Sequence, residues 1–254
     1  MSLLSLSFTL LFIVGTMLVS VWQRLGLEKD IAVGTLRSAI QLLAVGYVLQ
    51  FIFQTDHLAY VVLIVIFMIC VASWNAAKRG KGLHGIVWRI ALAITVSEVL
   101  MMSILLGLGI IDPTPQYIIP ISGMTIGSSM IVSGLFINHL KSQIQQSKGE
   151  IETLLSLGAT AQQALQGVRK RAVKFSMIPT IDGMKTVGLV QLPGMMTGMI
   201  IAGADPVIAV RYQILIVFSF TCAAAVTSIL LSVLIYKLFF TSDLQLRPMI
   251  DGSS

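Results

Sequence analysis

Glu98 has the clearest chemical potential in this sequence, because its carboxyl group stands among apolar residues. It lies about eight residues inside a hydrophobic run that begins near Ile90, which is on the order of 12 Å of helix. An isolated carboxylate at that depth in a membrane is costly unless it binds a proton or a cation, faces other helices or contacts water. Two interpretations therefore stay open: a cation site for an unknown metal, or a protonated glutamic acid hydrogen-bonded among helices.

Other side chains could join Glu98 along a transport path. Arg37 and Gln41 share one helical face at positions i and i+4, although Arg37 could also extend its charge to the membrane surface. Met195, Met196 and Met199 cluster in a chain with thirteen methionines. Thioethers prefer soft cations such as Cu(I), but methionine also fills gaps in apolar packing, which is the favoured interpretation here.

Glycine and proline indicate where helices bend or approach one another. Pro193, Gly194 and Gly198 are expected to bend or loosen a helix, which makes them a candidate hinge. Gly123 and Gly127 lie one turn apart, and such small residues permit close helix contacts. The contact could form within one chain or with a second copy.

Motifs for catalysis and nucleotide binding give little support to an enzyme. The sequence has no GxxxxGK[ST] loop, so we expect no ATP and no other cofactor on this chain, and no catalytic residue is assigned. Ser133 and His139 remain a minor alternative, as a pair that could serve an intramembrane hydrolase.

The elements that position these side chains are long apolar helices. Apolar residues make up 56% of the chain, charged residues 11%, and the mean hydropathy is +0.91. The apolar residues come in runs of about twenty, the length a helix needs to cross about 30 Å of hydrocarbon. The sequence predicts an all-α polytopic membrane helix bundle, a single transmembrane domain over residues 1–254. Its seven predicted spans are 3–22, 31–53, 59–77, 90–110, 118–140, 183–202 and 207–238.

The distribution of positive charge predicts the orientation in the membrane. Of seventeen Lys and Arg residues, fifteen fall in alternate loops and at the C-terminal end, and only Arg37 and Arg211 fall elsewhere. The positive-inside rule places the basic loops and the C-terminus in the cytoplasm and the N-terminus outside. The chain is then expected to be a multi-pass protein of the cell (inner or plasma) membrane. The net charge of +6 then reflects topology and attraction to membrane lipids, and no nucleic-acid partner is expected.

A long basic connection, residues 141–182, contains a short amphipathic segment. Ile151, Leu154, Leu155 and Leu157 fit one face of a helix, and Gly158 suits its C-terminal cap. The face could anchor the loop at the membrane surface or dock onto a partner. Glu152 and Gly158 have the spacing of the E-A-A-x-x-x-G loop through which ABC permeases bind their ATPase, although other residues replace both alanines.

Several longer segments carry a wider resemblance over nearly the whole chain. The most specific is KTVGLVQLPGMMTG at 185–198. The others are 27–30, 37–42, 74–76, 157–160, 178–182, 202–206 and 211–214. With these segments the chain resembles the FetB-type permease family, the membrane subunits of iron-export ABC transporters, with plant relatives linked to aluminium tolerance.

The resemblance implies a function that the residues alone do not supply. It implies a permease that exports a metal, namely iron, from the cytosol. ATP and Mg would be bound by a separate ABC ATPase subunit, and this chain would form a homodimer. The residues implied for ATPase coupling are Glu152, Leu154, Leu155, Gly158, Ala159 and Thr160. The alternative is an ATP-independent secondary carrier or channel for a small solute or ion.

Overall fold

The structure, a computed structural model, describes residues 8–55, 57–80, 82–241 and 245–246. Within these ranges the chain forms helices joined by turns, which confirms the all-α membrane-bundle class. The helices are α1 (Leu10–Trp22), α2 (Glu28–Thr55), α3 (Leu58–Ala77), α4 (Ile86–Gly107), α5 (Pro115–Gln146), α6 (Lys148–Ser156), α7 (Ala161–Ala164), α8 (Gln166–Thr186), α9 (Gly194–Ile201) and α10 (Pro206–Leu234). Two 3₁₀ turns, Lys78–Gly80 and Tyr236–Phe239, follow α3 and α10.

The chain divides into two compact units, one up to His57 and one from Leu58 onward. The first contains α1 and α2, which are joined by a short turn. Ser20 is buried there: its hydroxyl donates to Glu28 Oε1 at 2.8 Å and accepts from the Leu27 N–H at 3.2 Å. This pair of bonds fixes the turn between the two helices. A single domain over the whole chain stays a prediction.

The second unit is built around α5 and α10. Tyr117 contacts Tyr212 near the start of both helices, and Ser129 contacts Thr227 further along, so α5 and α10 run parallel. α8 packs against both helices, α4 against α10, and α3 against α4 and α5. The core between them is apolar and contains the fully buried Phe136.

We call the end of the second unit where α5 and α10 terminate and α8 begins the basic end. The short helices α6 and α7 connect α5 to α8 there, and α3 ends and α4 begins beside the turn Lys78–Gly80. Trp74 and Trp88, close to these ends of α3 and α4, are both exposed. Exposed tryptophans beside basic segments are typical of a membrane–water interface. The opposite end is called the distal end.

Among the described residues, five helices are long and apolar enough to cross a membrane: α2, α3, α4, α5 and α10. The described part of α1 has 13 residues, and the predicted start of this span at residue 3 lies outside the described residues. The last predicted span, 207–238, ends as an α-helix at Leu234. The count of seven spans and their orientation remain predictions.

The predicted sixth span, 183–202, is wrong as a continuous helix. α8 ends at Thr186, residues 187–193 form a turn, and only Gly194–Ile201 is helical again. Gly188 has φ +85°, a conformation that side chains with a Cβ rarely adopt, and its N–H donates to the Gln191 carbonyl at 2.9 Å. Pro193 then has no N–H for a helical bond. The apolar run through Leu189 and Val190 suggested a span, but these two local features interrupt it.

Candidate functional site

Glu98 lies near the middle of α4 and is 4% exposed. It is twelve residues from the first residue of α4 and nine from the last, or about 18 Å and about 14 Å of helix. The carboxyl group is therefore close to the centre of any hydrocarbon layer that α4 crosses. Glu98 lies further from the start of its helix than the sequence predicts, because α4 begins four residues before the predicted start.

The carboxyl group has one direct polar partner in the described part of the chain. Thr125 of α5 donates its hydroxyl hydrogen to Glu98 Oε2 at 2.5 Å. The Ile121 and Ser122 carbonyls of the same helix lie 3.1 and 3.0 Å from that hydroxyl and compete for its hydrogen. Glu98 Oε1 and Ser122 Oγ are both buried, and neither has a hydrogen-bond partner among the described residues. A proton on Glu98 would convert one carboxyl oxygen into a hydroxyl donor, and a cation would bind the oxygens directly; either would remove the uncompensated negative charge.

Thr125 belongs to a line of buried hydroxyl groups on α5. Ser122, Thr125, Ser129 and Ser133 are at most 1% exposed and recur at intervals of three or four residues, which places them on one helical face. Thr227 of α10 donates to Ser129 Oγ at 3.0 Å across the interface. This hydroxyl face is not among the predicted site residues, although its spacing is visible in the sequence.

The predicted metal site has few ligands in the described residues. No group of three or more His, Cys, Asp or Glu side chains comes together in them. Glu98 with Thr125 and Ser122 offers oxygen atoms, the ligand type that hard cations prefer. Such a shell suits a cation in transit better than one bound permanently, because a tight site needs more charged ligands.

The three methionines of the predicted cluster have different surroundings in the structure. Met195 packs beside an apolar cluster that includes Leu105 and Ile216, which fits the packing interpretation. Met196 lines a separate cavity of about 380 Å³ between the turn at 187–193 and α10. Met199 is half-buried, and its backbone carbonyl accepts from the Ala204 N–H at 3.0 Å. The place of these three residues along a transport path stays a prediction.

Gln213 is the main polar group in the cavity at the helix break. It is 8% exposed and lies on α10, and its Oε1 is buried without a hydrogen-bond partner in the described residues. Arg37 and Gln41 lie in the other compact unit, on α2, and both are exposed. Their place along a transport path stays a prediction.

The amphipathic segment forms α6, and its apolar face is already used within the chain. Ile151 is 1% exposed, and Leu154 and Leu155 pack against the same core, so part of this face is covered within the chain. Docking of these residues onto an ATPase stays a prediction. Leu157 points away and is 79% exposed. Glu152 is exposed and pairs with Lys148 at 3.7 Å.

The residues after α6 make two regular caps. Gly158, at φ +87°, donates to the Leu155 carbonyl and the following Ala159 N–H donates to the Leu154 carbonyl, both at 3.0 Å, which confirms the predicted glycine cap. Thr160 then caps α7, with its hydroxyl accepting from the Gln163 N–H and the Gln163 side chain accepting from the Thr160 N–H. Gly158 and Thr160 are exposed and Ala159 is half-buried, so this turn is accessible at the basic end.

The glycine stripes do not bring helices together within the described part of the chain. A Cβ added at Gly127, Gly194 or Gly198 would meet nothing within 4 Å, and one at Gly123 would lie an ordinary 3.8 Å from Met68. Contact with a second copy stays a prediction. The break that Pro193 and Gly194 suggested is present, with Pro193 at the N-cap of α9, and movement about it stays a prediction.

The Ser133–His139 alternative has no support in the structure. Ser133 is fully buried and donates to the Ser129 carbonyl at 2.6 Å. His139 stacks on Phe175, with ring centroids 3.9 Å apart. The two side chains therefore use different partners and do not form a nucleophile and base pair.

The long apolar helices and a carboxyl group buried among them define a multi-pass helical membrane protein. The chain belongs to the uncharacterised protein family UPF0014, whose profile matches residues 3–240. It is 49% identical over 247 residues to the UPF0014 membrane protein YjkA of Bacillus subtilis, covering 97% of this chain and 99% of the relative.

Two further relatives carry more informative names. The chain is 40% identical over 242 residues to the protein of Escherichia coli named "Probable iron export permease protein FetB", covering 95% of this chain and 93% of that one. It is 37% identical over 236 residues to the protein ALUMINUM SENSITIVE 3 of Arabidopsis thaliana, covering 93% of this chain and 86% of that one. No solved structure shows significant similarity to the chain.

Proposed function

We propose that this protein is the membrane permease subunit of an ABC transporter that exports iron from the cytosol, with ATP hydrolysed by a separate subunit. The observation that carries the proposal is the 40% identity, over nearly the full length of both chains, to a relative named for iron export. A homodimer of this chain with two ATPase subunits is part of the proposal.

Glu98 is the proposed point at which a cation crosses the apolar centre. Its carboxyl group and the hydroxyl of Thr125 supply oxygen ligands, which Fe²⁺ accepts. A negative charge near the membrane centre lowers the cost of a passing cation, and a proton can neutralise the same group between transport events. Met196 and Gln213, at the helix break, are a second place where a solute could pause.

The proposed contact with the ATPase is the exposed turn after α6. Leu157, Gly158 and Thr160 project from the basic end, while the rest of the apolar face holds α6 against its own core. Such an arrangement transmits force well, because Ile151 connects the exposed turn to the packed helices. Glu152 adds a negatively charged side chain to this exposed surface.

Transport into inside-out membrane vesicles tests the proposal. Vesicles from cells that express the chain together with its ATPase should accumulate Fe²⁺ when ATP is present, and not with a non-hydrolysable analogue. Mn²⁺, Zn²⁺ and small organic solutes serve as competing substrates. Accumulation by the purified chain in proteoliposomes, without ATP and driven by an ion gradient, would overturn the ABC assignment in favour of a carrier or channel.

A further inference from the structure

A groove of about 720 Å³ opens at the basic end between α7, the first half of α8 and the end of α10. Its lining includes three cationic side chains, Arg169, Lys170 and Lys174, together with glutamine side chains and Ser232. Among the described residues, no acidic side chain contributes to the lining. The groove is therefore a concentration of positive charge with hydrogen-bond donors and without an internal counter-charge.

Arg169 is held in place inside this groove. Its guanidinium carbon lies 4.9 Å from the centre of the Tyr236 ring, and its Nη2 donates to Ser232 Oγ at 3.5 Å. Its Nε is buried without an acceptor. Burial lowers the pKa of the guanidinium and Tyr236 raises it, but arginine stays charged at neutral pH. Arg169 is therefore a half-buried cation with a fixed orientation, and the guanidinium N–H groups that face the groove are the ones that could bind an anion.

Lys170 and Lys174 extend the charge along one face of α8. They are exposed and one helical turn apart, and among the described residues neither has a carboxylate within 4 Å. Two like charges at i and i+4 destabilise a helix slightly unless an anion lies between or beside them. Gln163 adds a donor, because its Oε1 is occupied by Thr160 and its amide N–H groups are not.

The wall of the groove restricts the kind of anion. Val173 and Ile229 form an apolar side next to the cations, and Ile229 itself is exposed near the end of α10. An anionic group attached to an apolar chain would contact both sides at once. Forked arginine donors and adjacent lysines match phosphate oxygens best.

We propose that this groove binds a phosphate group, carried by an anionic phospholipid or by a soluble phosphate compound, at Arg169, Lys170 and Lys174. The site is separate from the proposed iron path and does not depend on it. It shares the Thr160–Gln163 cap with the exposed turn after α6, so an occupied groove would hold that turn in place.

Binding by the purified full-length chain in detergent tests the proposal. Three probes are used: phosphatidylglycerol, phosphatidylcholine as the uncharged control lipid, and inorganic phosphate. Retained lipid is counted by native mass spectrometry, and phosphate by a shift in melting temperature. The Lys170→Gln/Lys174→Gln variant changes only exposed residues, and Lys29→Gln/Lys148→Gln removes the same charge outside the groove.

We expect the groove variant to bind phosphatidylglycerol at least about tenfold more weakly, because it lacks two of the three cationic side chains of the groove. The control variant should bind within about twofold of the original protein. Phosphatidylglycerol binding without phosphate binding identifies the lipid source, and binding of inorganic phosphate identifies the soluble source. Equal loss in both variants, or no preference for phosphatidylglycerol and no effect of phosphate, overturns the proposal. The proposal is also overturned if the groove variant loses co-purification with the ATPase while its anion binding is unchanged.

Discussion

Thr125 donates its hydroxyl hydrogen to the carboxyl group of Glu98 at 2.5 Å, across the interface between α4 and α5. The bond connects a titratable group at the membrane centre to the longest helix of the described chain, α5, which reaches the basic end. A change in what Glu98 binds therefore changes the hydrogen bonding of α5 directly.

Replacing Glu98 with glutamine should separate transport from stability. The Glu98→Gln side chain has nearly the same shape and can accept from Thr125, but it cannot carry a negative charge. We expect at least about a tenfold loss of Fe²⁺ accumulation in inside-out vesicles, and a melting temperature that is unchanged or higher, because a buried carboxylate is costly. Full transport by E98Q would show that the carboxylate is not needed.

Removing the Thr125 hydroxyl should destabilise the bundle. Thr125→Val keeps the shape and leaves Glu98 Oε2 buried without its partner, which costs roughly 1–3 kcal/mol. Denaturation of the protein in detergent measures this loss of stability. Thr16→Val is a matched control, because Thr16 is exposed and bonds only to the Phe12 carbonyl of its own helix. In the E98Q background the cost of Thr125→Val should fall, and equal costs in both backgrounds would contradict a coupled pair.

Two apolar residues of α6 should give opposite results. Ile151→Ala removes a fully buried side chain and should cost about 2–5 kcal/mol of stability. Leu157→Ala changes an exposed side chain and should alter stability by less than about 0.5 kcal/mol, yet reduce co-purification of the ATPase. Wild-type ATPase binding by the Leu157→Ala variant would remove this turn from the proposed contact.

Gly188→Ala should strain the turn between α8 and α9. Its φ of +85° disfavours a Cβ, at a cost of about 1–2 kcal/mol in melting experiments. Gly127→Ala is the contrasting change, because Gly127 is helical with open space around its Cβ position, so alanine should stabilise the helix by about 0.5–1 kcal/mol. If Gly127→Ala instead weakens self-association, measured by cross-linking in the membrane, the glycine stripe lies against a second copy.

The sequence predicted the class of fold and the burial of Glu98, because both depend on local apolar runs. It could not predict Thr125 as the partner, since the two residues are 27 positions apart and meet only through the packing of α4 on α5. The regular spacing of hydroxyl groups on α5 was a signal for this face, but not for what would contact it.

Two differences between the expectations and the structure have a common physical cause. The run at 183–202 looked like one helix because apolar content is averaged over a window, while Gly188 and Pro193 act on single backbone positions. Similarly, the apolar face of α6 indicated burial correctly but not the surface that buries it. In the structure the core around Ile151 covers part of that face.

The exposed tryptophans at the basic end have a practical consequence. Trp74 and Trp88 are two of only three tryptophans in the chain, and both lie where α3 ends and α4 begins. Much of the intrinsic fluorescence of this protein therefore originates in one narrow layer beside the lipid headgroups. Lipids brominated at graded depths would quench it most strongly just below the headgroups, and a polar quencher added to one side of sealed vesicles would report which way the protein faces.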